Sequence, residues 1–104
     1  ETSLQAADAA RQILSLFEDD RAKIETLGRP ATSALRVHQL LQQKPIIAIP
    51  DAARETGMSS PTVAKSIQHL RDLGLLREIT GKQRGRMFVY SDYLGILSQG
   101  TEPI

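Results

Sequence analysis

The chain has 104 residues, a net charge of +1 and no cysteine, which fits one domain and excludes disulfides and thiolate metal sites. Its two histidines, His38 and His69, stand far apart without a neighbouring ligand cluster, so neither a metal nor a cofactor is expected. The longest apolar run, Ile46 to Ile49, is far below the roughly 20 residues of a membrane span. With no signal-peptide pattern at the start, the expectation is a cytoplasmic protein without membrane contact. The first residue is Glu1 rather than methionine, which points to a piece cut from a larger protein, although processing would do the same.

Charge is unevenly spread. Residues 1–28 carry six acidic and three basic side chains, whereas residues 59–88 carry six basic and two acidic ones. Such a chain can offer one face to a polyanion while the other does something else; ordinary solvated surface is the alternative reading.

Residues 3–27 read as one long helix, with Leu4, Ala7, Ala10, Leu14, Phe17, Ile24 and Leu27 recurring at three- and four-residue steps. The stripe is interrupted at Glu18–Arg21, and Gly28 and Pro30 end it. Thr32 or Ser33 can cap a second helix, about 33–43, which Lys44-Pro45 closes. Ile46–Ile49 reads as a short strand. A helix over 50–56 follows, with Pro50 in its first turn, and Gly57 ends it in a left-handed conformation. Ser59 or Ser60 caps the next helix, Pro61 sits in its first turn, and Val63, Ile67 and Leu70 point inward. Gly74 terminates it. Leu75–Thr80 and Arg86–Ser91 form a hairpin around Gly81–Gly85, with Phe88 and Tyr90 on one face. Asp92–Leu97 adds a short closing helix, and the tail from Ser98 has no pattern.

This order predicts a mainly α fold with a small β-hairpin: a winged helix-turn-helix over 31–97, preceded by a docking or linker helix at 1–30 and followed by a tail at 98–104. Gly57 lets two helices meet steeply. The second of them is expected to turn Ser60, Thr62, Lys65, Ser66 and His69 outward, where they can meet base edges or phosphates. The wing adds Lys82, Arg84 and Arg86 for phosphate contact. Double-stranded DNA is therefore one expected partner. The long acidic helix offers a second reading, in which residues 3–27 pair two chains or dock on a missing domain; folding back on its own domain is the plain alternative. No pair of groups stands at a spacing that ties it to a reaction, so the fragment is not expected to be an enzyme.

Several strings also resemble the C-terminal winged-helix extension of Fic-family proteins (filamentation induced by cyclic AMP). They are Leu27-Gly28-Arg29, Ser33-Ala34-Leu35-Arg36-Val37, Ser60-Pro61-Thr62-Val63, and Leu76 to Gly81 followed by Arg84, Arg86, Phe88, Tyr90 and Tyr93-Leu94. The segment Leu16–Arg29 resembles the helix that joins such an extension to its catalytic domain. The resemblance implies a parent protein moving AMP from ATP onto a protein hydroxyl, and a missing Fic catalytic domain as partner. That family's catalytic loop, His-Pro-Phe, two residues, then Gly-Asn-Gly-Arg, is absent here. Its inhibitory motif has a near match at Ser98 to Glu102, but Pro103 follows where glycine or asparagine is required.

Overall fold

The computed structural model describes residues 2–79 and 85–101. In chain order they form α1 (Thr2–Glu25), α2 (Ala31–Gln43), β1 (Ile46–Ala48), α3 (Ile49–Thr56), α4 (Ser60–Asp72), β2 (Arg77–Glu78), β3 (Met87–Val89) and α5 (Ser91–Thr101). The three strands make one antiparallel sheet in the order β1-β3-β2. Ile47 pairs with Phe88 on one side of β3, and Glu78 pairs with Phe88 on the other. Helix, strand, helix, turn, helix and hairpin thus follow the winged helix-turn-helix plan, mostly helical with a small sheet.

The core is built from one side of each element: Val37 and Leu41 of α2, Ala52 of α3, Val63, Ile67 and Leu70 of α4, and Phe88 of β3. Burying an aliphatic or aromatic side chain of this kind stabilises the fold by about 1.5–3 kcal/mol. Two glycines set the angles around α4. Gly57 closes α3 at φ 76°, a left-handed conformation that costs an L side chain energy. Gly74, at φ 87°, follows α4 in a Schellman arrangement. There its N–H donates to the Arg71 carbonyl at 3.0 Å, and Leu75 N–H donates to that of Leu70 at 2.9 Å. The apolar contact this motif favours falls between Leu70 and Leu75, both buried.

Boundaries differ from the sequence-based expectation where backbone overrode side-chain preference. Neither Thr32 nor Ser33 caps α2. Pro30 already has helical angles, φ −71° and ψ −6°, and the helix begins at Ala31 with no side-chain cap. A proline with its φ fixed near the helical value starts a helix earlier than a hydroxyl cap would. Ile49 belongs to α3 rather than to the strand, because Pro50 fits that helix's first turn. The hairpin strands are shorter than expected. The closing helix is longer and runs through Ser98 to Thr101, where a tail was expected. No helix among the described residues is long and apolar enough to cross a membrane.

The second half of α1 is part of this core. Ile24 is fully buried, and α1 packs against α2 and α5. Near the middle of the helix Leu14 is 62% exposed. At the junction Asp20 and His38 are 2% and 1% exposed, linked through Tyr90. The Tyr90 hydroxyl donates to Asp20 Oδ2 at 2.5 Å and lies 3.0 Å from His38 Nε2. A phenol has one proton, so Tyr90 must accept from His38 Nε2–H. That leaves His38 Nδ1 as the acceptor for Gln42 Nε2, 3.3 Å away. The tautomer follows from the chain of bonds: neutral imidazole, proton on Nε2.

The rings of Phe17, His38, Tyr90 and Tyr93 pack around this chain, with Phe17 edge-on to His38 and Tyr93. The Tyr93 hydroxyl donates to the Gln42 carbonyl at 3.0 Å, satisfying one acceptor that a helix end leaves open. Burial lowers the His38 pKa, against the opposing pull of Asp20. Burial, together with the bond to Asp20, raises that of Tyr90 far above the usual phenol value.

Candidate nucleic-acid interface

Helix α4 follows the turn after Gly57 and shows two unlike sides. Its N-terminus is closed by Ser59, whose Oγ accepts from Thr62 N–H at 3.3 Å and donates to Thr62 Oγ1 at 2.9 Å. Ser59 is therefore the cap, and Thr62 is held by it, half-buried. Val63, Ser66, Ile67 and Leu70 face the core. Pro61, Ala64, Lys65, Gln68 and Asp72 are all exposed, at steps of three and four that place them on one stripe.

Five of the expected contact residues lie on this helix, and they do not share one face. Ser60 and Lys65 are exposed, and Lys65 has no ion-pair partner among the described residues. Thr62 and His69 sit half-buried on one flank. Ser66 is 2% exposed, and its outward assignment is corrected. It lies three residues after Val63 and four before Leu70, so helical geometry commits it to the same inward side. The same count around the helix brings out Pro61, Ala64 and Gln68, which have neither charge nor hydroxyl, and the acidic Asp72.

At the wing, Lys82 and Arg84 lie outside the described residues. Arg86 is held at the base of the hairpin. Its Nε and Nη2 donate to the two carboxylate oxygens of Glu78 at 3.0 and 2.9 Å, the bidentate geometry that makes such pairs strong. This bond is also what raises the Arg86 pKa. Arg71, from the last turn of α4, approaches the same carboxylate at 3.9 Å. Both guanidinium groups lie over the Phe88 ring, with centroid distances of 5.8 Å for Arg71 and 5.4 Å for Arg86. The cluster ties the end of α4 to both wing strands.

Among the described residues no cluster of histidine and carboxylate side chains could hold a metal. A polar cleft lies between α2 and α3, lined by Arg36, Gln39, Leu40, Gln43, Glu55 and Thr56, with a volume of about 250 Å³.

Residues 32–77 match the family model described as winged helix-turn-helix DNA-binding. Two solved structures share the fold. The crystal structure of RV1404 from Mycobacterium tuberculosis is 15% identical with a TM-score of 0.54, over 97% of this chain and 70% of that one. A MarR-family transcriptional regulator from Silicibacter pomeroyi is 16% identical with a TM-score of 0.55, over 96% and 72% of the two chains. Among curated proteins none matches.

These findings correct the resemblance to the Fic-family extension, since the matched family model and the solved neighbours belong elsewhere. The strings that carried it have structural work that the winged-helix fold itself requires. Gly28 turns the chain at φ 79°, Ser60-Pro61-Thr62-Val63 opens α4 behind its cap, and Phe88 and Tyr90 fill the core.

Proposed function

We propose that this chain is a winged-helix DNA-binding domain that acts in the manner of a MarR-like transcriptional regulator, without catalysis. The observation that supports it best is the exposed stripe of α4, polar and carrying the unpaired Lys65, on a helix within the matched span 32–77. In this reading α4 enters the major groove of double-stranded DNA with its stripe toward the bases. Ser60, Lys65 and, from the flank, Thr62 and His69 contact the backbone or base edges. Lys82 and Arg84 meet phosphates from the wing, as does Arg86 through Nη1, the guanidinium nitrogen not turned to Glu78. Ser66 takes no part because it is buried.

A second, compatible role falls to α1. Near its middle it exposes Leu14, and an open cleft against α5 is lined by Arg11, Gln12, Ser15, Leu16, Asp19 and Ile96. Pairing of two chains through residues 3–27 would cover this side. Two copies would then offer two α4 helices to two half-sites.

The test is fluorescence anisotropy of random duplex DNA at two salt concentrations. Phosphate neutralisation predicts roughly micromolar binding at low salt that weakens steeply as salt rises. Absence of binding at low salt would remove the DNA reading. Sedimentation of the chain with and without residues 1–28 tests the pairing, which requires that only the longer form dimerise.

A further inference from the structure

The exposed stripe of α4 contains no arginine, the side chain that most often reads guanine. Arg71 stands in the last turn but is turned to Glu78 and Phe88. The stripe offers instead two small residues, Pro61 and Ala64, then Lys65 and Gln68. Small side chains let a helix approach base edges closely, and a lysine is a point charge suited to backbone or groove. Gln68 alone on the stripe presents a planar pair of donor and acceptor.

That amide is already oriented. Gln68 Nε2 donates to Asp72 Oδ1 at 3.0 Å, one turn further on. A carboxylate only accepts, so the nitrogen, not the oxygen, must face Asp72. One N–H is used there. The second N–H and Oε1 remain for a ligand. Adenine offers the matching pair in the major groove, an N7 acceptor beside an N6 donor. Guanine offers two acceptors, N7 and O6, and would set O6 against Oε1.

We propose that Gln68, held by Asp72, is the specificity-determining residue of α4 and selects an adenine in the major groove. This rests on the DNA-binding reading above. Asp72 acts as a positioning residue: it fixes which end of the amide meets the base. Lys65 contributes affinity without choosing a base.

The experiment selects duplexes from a randomised library with the wild-type chain, then measures each base at each position by competition anisotropy. One position should favour adenine by about tenfold, the scale of one good bidentate contact. Gln68→Ala should flatten that position alone, leaving affinity for a scrambled duplex and its salt dependence within about twofold. Gln68→Glu should move the preference to cytosine, whose N4 amine donates to a carboxylate. Both substitutions are at an exposed position, and thermal melting confirms the fold of each. A selected pool with no adenine preference, or a preference that survives Gln68→Ala, would overturn the assignment while leaving DNA binding intact. Failure of the wild-type chain to bind any duplex at low salt would instead overturn the underlying reading, and this one with it.

Discussion

The junction where α1 meets the winged core and the outer side of α4 use polar residues in opposite ways. At the junction Asp20, Tyr90 and His38 are packed among aromatic rings and joined in one chain of hydrogen bonds that Gln42 completes. On α4, Lys65 and Gln68 face water, and the bond from Gln68 to Asp72 lies on the surface. A buried polar group left without its partner costs about 1–3 kcal/mol, whereas an exposed one turns to water. The first region therefore holds the fold together and tolerates little change. The second is close to neutral for stability and available to a ligand.

Substitutions at the two places should separate this contrast sharply. Tyr90→Ala removes a buried ring and strands Asp20 and His38, so a loss of about 4 kcal/mol or more is expected in urea melts. Tyr90→Phe keeps the ring but strands the two partners, and about 1–3 kcal/mol should go. A melt unchanged in both variants would show that the junction is not built as described. Next in size, Ser59→Ala removes the cap of α4 and should cost about 1 kcal/mol. Lys65→Ala and Gln68→Ala should stay within about 0.5 kcal/mol of wild type.

Acidity sharpens the contrast further. His38 is neutral when folded and its pKa is lowered by burial, so the unfolded chain binds the proton more readily. Stability is then full above the unfolded histidine value, about 6.5, and falls as pH drops below it. His38→Asn should flatten the stability profile between pH 7 and 5; an equal slope in both proteins would contradict the assignment. On the alkaline side Tyr90 is shifted upward, so the fold loses stability as pH passes the ordinary phenol value of about 10.

The sequence displayed the two regions unequally. Element order, the Gly57 turn and the inward set Val63, Ile67 and Leu70 could be read directly, because periodicity and glycine placement are local signals. The exposed side of α4 was read by chemistry rather than by angle. Ser66 looked suited to DNA, yet its spacing from Val63 and Leu70 turns it inward, while Gln68 and Ala64 were available from the same count. Asp20 carried no such signal. It stands in a run of charged residues, Glu18 to Arg21, that reads as a solvated interruption of the apolar stripe. Only the approach of Tyr90, 70 positions away, makes it a buried partner, and pairing over that separation leaves no trace in local pattern. Arg86 shows the converse. Its place in the wing predicted a free cation, and its bidentate bond to Glu78 follows from cross-strand register.

Titration of the isotope-labelled chain with a duplex, followed by amide proton and nitrogen chemical shifts, tests the central contrast most directly. Shifts that grow with added DNA are expected at Ala64, Lys65 and Gln68, with smaller ones where α4 meets the wing at Arg71 and Glu78. Ile24, His38 and Tyr90 should stay still, and added salt should reverse the changes. Shifts confined to α1 and α5, or none at low salt, would contradict it.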